Sequence, residues 1–90
     1  MYKRQFHDLR YRLGRYLLDC GRSLEAREEL ERVLAARPGS TDARCAYALA
    51  CYLAGDSSTA REQLAAVLET EPNHARATAY RELVERAGVA

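Results

Sequence analysis

The sequence predicts an all-α fold of antiparallel helix–turn–helix units stacked on one another. Three observations carry this reading. The stretch "GRSLEAREELERVLAARPG" (Gly21 to Gly39) returns as "GDSSTAREQLAAVLETEPN" (Gly55 to Asn73), and residues 7–40 match residues 41–74 at eleven of 34 positions. A fixed period of roughly 20–50 residues is the mark of a repeat architecture. Ala, Leu, Glu and Arg, all strong helix formers, dominate the chain, and only two prolines interrupt it. No segment alternates with period two over strand length, so no sheet is expected.

Each element then follows in order. In "FHDLRYRLGRYLLDC" the apolar residues Phe6, Leu9, Leu13, Tyr16, Leu17 and Cys20 recur at spacings of three and four, which places them on one helical face. Gly21 follows and suits the left-handed position that closes a helix. Ser23 offers an N-cap oxygen for the second helix, which sets Ala26, Leu30, Val33 and Leu34 against a charged opposite side. Pro38 and Gly39 end that helix. Ser40 or Thr41 caps a third helix that runs to about Ala54, where Gly55 breaks it. Ser57 or Ser58 caps a fourth that runs to about Glu71 and stops at Pro72-Asn73. A fifth helix covers roughly His74 to Ala87, with a stripe of Ala77, Tyr80, Val84 and Ala87.

Composition excludes several function classes. The chain of 90 residues is 48% hydrophobic and 30% charged, a globular rather than disordered balance. No apolar run approaches the roughly 18 residues of a membrane span. The start, "MYKRQFHDLR", lacks the apolar core of a secretory signal, so a cytoplasmic location is expected. A net charge of +1 argues against a nucleic-acid or membrane surface. The first 20 residues do hold a local excess of three positive charges, either a solvated helix face or a rim that favours an acidic partner. Three irregularly spaced cysteines make no disulfide framework. Cys20, Cys45 and Cys51 lie among Leu, Ala and Tyr and read as free core cysteines, with neither a metal nor another cofactor implied. No nucleophile with an orienting base, phosphate loop or paired carboxylates appears, so no catalytic residues and no enzyme activity are expected.

The repeat resembles the tetratricopeptide family, a 34-residue helix–turn–helix unit. Leu13-Gly14, Leu17, Gly21, Ala26, Leu30, Val33 and Pro38 stand at that family's signature places in the first unit. Tyr47-Ala48, Cys51, Gly55, Ala60, Leu64, Val67 and Pro72 do so in the second. Gly14 or Ala48 would let the helices of a unit approach closely, with Ala26 or Ala60 at the tight crossing. Two departures occur in both copies: Arg10 and Arg44 replace a large aromatic, and Ser23 and Ser57 replace a large apolar residue. Each removes buried area, on the order of 2 kcal/mol per side chain. The resemblance implies one domain over residues 1–90, with repeats at 7–40 and 41–74 and a capping helix at 75–88. It also implies a short right-handed superhelix of five helices. Arg81-Glu82 stand where a further repeat would place its apolar and small residues, so the last helix reads as a solvating cap.

In that family the first helices of successive units line a concave groove that holds a partner's peptide or helix. Carried over by position, the groove takes Asp8, Tyr11, Arg15, Leu18 and Asp19, then Asp42, Cys45, Leu49, Tyr52 and Leu53, then Arg76, Ala79 and Leu83. Within it "CAYALACYLA", Cys45 to Ala54, carries no charge, and a helix apolar all round is normally buried all round. Either the neighbouring helices cover Cys45, Leu49 and Leu53, or these point into the groove, with Leu49 and Leu53 as an apolar floor walled by Tyr11, Arg15 and Tyr52. The second arrangement is the composition of a binding hot spot and suits a partner with an amphipathic helix or apolar motif. The carboxylate clamp of some relatives is absent: its places hold Tyr11, Arg15, Ala46, Arg76 and Tyr80, with no asparagine among them. A protein-binding adaptor or scaffold is therefore expected. The rival is a structural module that forms a homodimer through the same groove, since repeat arrays usually need about three units for stability. A third reading is a piece of a longer chain whose activity lies elsewhere.

Overall fold

A computed structural model describes the backbone of residues 2–88 and the side chains of residues 6–86. Five helices follow one another: α1 (Tyr2–Asp19), α2 (Ser23–Ala36), α3 (Thr41–Leu53), α4 (Ser57–Thr70) and α5 (Ala75–Gly88). The described residues are 83% helical with no strand among them, as an all-α helical repeat requires. α1 pairs with α2 and α3 with α4, while α2 packs on α3 and α4 on α5.

The turn inside each unit is closed the same way. Gly21 and Gly55 take φ of +78° and +96°, the left-handed region a side chain disfavours. Around them Arg22 N–H donates to Leu17 O at 2.8 Å and Gly21 N–H to Leu18 O at 3.0 Å. Asp56 N–H to Cys51 O and Gly55 N–H to Tyr52 O repeat the pattern at the same lengths. Both are Schellman closures. They correct the expected caps of α2 and α4. The chain enters the next helix one residue earlier, so Arg22 and Asp56 are the N-caps and Ser23 and Ser57 the first helical residues. Asp56 Oδ1 accepts from Thr59 N–H at 3.1 Å. Arg22 cannot accept, and its Nε pairs instead with Glu25 across the first turn at 2.7 Å. Between units, Ser40 Oγ accepts from Ala43 N–H at 3.3 Å, and His74 Nδ1 does the same for Ala77 N–H at 3.1 Å.

The core is two clusters sharing Tyr47. One joins Leu17, Ala26, Leu30, Ala46 and Ala50. The other joins Cys45, Ala48, Cys51, Ala60, Leu64, Val67, Ala77 and Val84. Burial, with a hydrogen bond to Cys51, pushes the Tyr47 hydroxyl up to about 12. Gly14 faces Leu30 so closely that a Cβ there would stand 2.7 Å from Leu30 Cγ. The two arginines that replace large aromatics tie the helix pairs together instead. Arg10 lies 3.8 Å from Glu29, and Arg44 donates to Gln63 at 2.5 Å and to Pro38 O at 2.7 Å. Glu29 and Gln63 are themselves equivalent positions of the two units, so one cross-link is built twice.

α1 departs from expectation. Of the stripe read from its spacing, only Leu17 is buried; Phe6, Leu9, Leu13, Tyr16 and Cys20 are exposed. The packed face of α1 is Gly14 and Leu17, with Tyr11 and Leu18 half-buried beside them. α2 can approach that face because Gly14 carries no side chain, and the bulkier stripe is left turned outward. Cys20 is thus not a core cysteine, whereas Cys45 and Cys51 are.

Candidate interaction groove

α3 touches both α1 and α5, the contacts that a groove lined by these three helices requires. The α1 wall is organised by one hydrogen bond: Arg15 Nη1 donates to Tyr11 Oη at 3.3 Å. Partial burial works against the Arg15 charge. The bond to Tyr11, together with the fields of Tyr11, Tyr80 and Asp19, outweighs it and holds the guanidinium above its ordinary value. The influence of Tyr80 brings the α5 wall within electrostatic reach of α1. Arg76 acts likewise on Cys45, whose thiol is pushed up by burial first and pulled down by that arginine.

The residues expected to line a groove differ in exposure. Tyr11, Arg15 and Leu18 are half-buried on α1, and Asp19 is exposed at its end. Leu49 and Tyr52 are half-buried on α3, with Tyr52 resting on the larger core cluster. Arg76 is exposed on α5. The open apolar surface comes from Leu53, 50% exposed, and Leu83, 42% exposed. Cys45 is a correction. It is fully buried against Ala77 and Val84 in the larger cluster, because α5 packs down on α3 at that level, and it offers nothing to a partner.

Tyr80, read from the sequence as part of the α5 stripe and as one of the clamp places, packs half-buried on the core and acts on the charge of Arg15. One feature escaped sequence reasoning. A cavity of about 340 Å³ opens beside Tyr11, between α1, the end of α2 and the start of α3. Asp8, Arg12, Arg37 and Asp42 line it, and Arg37 donates to Asp8 at 3.1 Å across it. His7, also on its wall, keeps Nδ1 buried without a hydrogen-bond partner. No sequence pattern marks a gap between three helices. Among the described residues no group of three His, Cys, Asp or Glu side chains could hold a metal ion. No helix of the described residues is long and apolar enough to cross a membrane.

A family model described as tetratricopeptide repeat matches residues 17–84. No curated protein and no solved structure matches the chain.

Proposed function

The chain belongs to the tetratricopeptide repeat family, whose repeats generally mediate protein–protein interaction, and from that membership we propose that its α1–α3–α5 surface holds a segment of a protein partner. The partner segment is an amphipathic helix or a short apolar motif, and the module works as an adaptor or scaffold without catalysis. The observation that carries this reading is that Leu53 and Leu83 are exposed on α3 and α5, helices that contact one another, while Tyr80 of α5 acts on Arg15 of α1. Exposed leucines beside aromatics and an arginine have the make-up of an anchor site, and the i, i+3, i+4 anchors of a helical peptide suit a floor made by one helix. In this reading Arg15, braced by Tyr11, steers the partner's orientation and does less for its residence time.

The test is selection of peptides from a random display library on the immobilised protein, followed by titration against Leu53→Ser/Leu83→Ser. Selected peptides should be amphipathic and lose more than tenfold in affinity for the variant. Peptides that bind the variant unchanged would refute the groove. Self-association through the groove finds less support, because the larger set of exposed bulky side chains lies elsewhere, on the outer face of α1.

A further inference from the structure

We propose that the outer face of α1 is a homodimer interface, in which two copies of the chain pair α1 against α1 in antiparallel orientation. Phe6, Leu9, Leu13, Tyr16 and Cys20 follow one another at intervals of three, four, three and four along this helix. That is the a/d spacing of a coiled-coil seam, narrower than the stripe of a core helix. Every member is exposed, the four large ones at 52%, 61%, 44% and 64%. Together they offer on the order of 500 Å² of side chain, close to the largest patch a typical monomer shows and, with flanking residues, near the roughly 800 Å² each partner gives to a standard interface.

The internal repeat shows what kind of neighbour this face fits. The equivalents of Leu9, Leu13 and Tyr16 on α3 are Ala43, Tyr47 and Ala50. There the two alanines are fully buried and α2 packs close on the helix. Leucine and tyrosine in place of those alanines forbid the same close approach. A helix covering α1 must sit further out and receive large side chains as knobs, as one α1 does for another.

Charge then selects the register. Arg12 and Asp19 border the seam on its open side, both exposed. If Leu13 meets Tyr16 of the second copy and Leu9 meets its Cys20, each Arg12 falls beside an Asp19 of the other chain. The alternative antiparallel register, Leu9 against Leu13, sets Arg12 on Arg12 and Arg10 on Arg10, a like-charge arrangement that coiled coils avoid. The favoured register is two-fold symmetric, so the contact closes at a dimer. It carries Phe6 past the end of the facing helix toward the turn, where Leu24 is exposed at 59%. Tyr11, Arg15 and Leu18 remain free of the seam, so the dimer would present two grooves.

Sedimentation equilibrium from about 10 µM to several hundred micromolar tests the proposal, which stands apart from the groove reading. The wild type should move from its 10.1 kDa chain mass to twice that value. Leu13→Glu and, independently, Tyr16→Glu should stay monomeric with unchanged helical dichroism, whereas Leu53→Ser should still dimerise. The register is read with oxidised glutathione. Leu9→Cys should give a disulfide-linked dimer with Cys20, while the wild type should not, because its two Cys20 residues would lie roughly 16 Å apart along the axis. A wild type that is monomeric throughout overturns the interface, as does a dimer that survives both Glu substitutions. Spontaneous Cys20–Cys20 linkage in the wild type would instead reveal a parallel pair and overturn the antiparallel one.

Discussion

Gly14→Ala tests how the first helix pair is built, because two effects of opposite sign meet there. In an exposed helix interior this change stabilises by about 1 kcal/mol, the difference in helix propensity between glycine and alanine. Here the new Cβ would stand 2.7 Å from Leu30 Cγ and 2.8 Å from Leu30 Cδ2. Cγ is the branch point of that side chain, so turning its terminal methyls does not clear the clash. Leu30 is fully buried among Leu17, Ala26, Ala46 and Ala50 and has no open direction to retreat. Overpacking of this kind costs about 1–3 kcal/mol, and two contacts under 3 Å place the cost toward the upper part of that range. The net expectation is a loss of about 1–2 kcal/mol. Urea melts at one fixed protein concentration measure it, since any self-association would otherwise enter the midpoint. Gly39→Ala is the control: nothing lies within 4 Å of a Cβ there, and stability should hold or rise by up to about 1 kcal/mol. In a Leu30→Val background the Gly14→Ala penalty should shrink, with a coupling of about 1 kcal/mol. A stabilising Gly14→Ala, or one that matches Gly39→Ala, would refute the close crossing of α1 on α2.

Four further outcomes follow from the same structure. Ser40→Ala should destabilise by about 1 kcal/mol through loss of the α3 cap, and His74→Ala should show a similar loss that His74→Asp restores, all read by urea midpoints. The Asp56 carboxyl is held below its ordinary value by the bonds from the Thr59 hydroxyl and N–H, so its contribution is complete above the usual carboxylate range and fades as pH falls through the depressed value. Asp56→Asn, which keeps an acceptor but no charge, should therefore lose stability less steeply than the wild type below about pH 4. Arg44→Ala and Gln63→Ala should each cost about 1 kcal/mol, with a double-mutant coupling of similar size in urea melts. Leu53→Ser should stay within about 0.5 kcal/mol of wild type, while Leu49→Ala, half-buried, should cost less than the roughly 2–5 kcal/mol of a fully buried leucine; a Leu53→Ser loss above about 3 kcal/mol would place that residue in the core and remove the groove's exposed anchor.

The 34-residue period exposed the helix order and the small and large partners at the crossings because those positions are constrained twice over. Gly21 and Gly55 had to be glycine for one backbone conformation, and Leu30 and Leu64 had to fill one kind of gap, so each copy testified for the other. The faces of α1 were not legible in that way. Periodicity marks an apolar stripe but not what covers it, and the true contact face of α1 is a weak signal, a glycine and a leucine flanked by Tyr11 and Leu18. The stripe at Phe6, Leu9, Leu13 and Tyr16 was the louder pattern, and it faces outward. Cys45 failed for the complementary reason. Its helix is apolar all round, so sequence could not say at which level α5 descends on it, and that depends on Ala77 and Val84, far along the chain. The caps missed by one residue because the Schellman closure leaves no spacer before the next helix, which makes Arg22 and Asp56 serve two ends at once. The departures at Arg10 and Arg44, taken alone, read as lost core; with Glu29 and Gln63 opposite them they read as a cross-link. Sequence shows which residues differ from a pattern, but only the facing residue shows whether the difference is a loss or a substitution of one interaction for another.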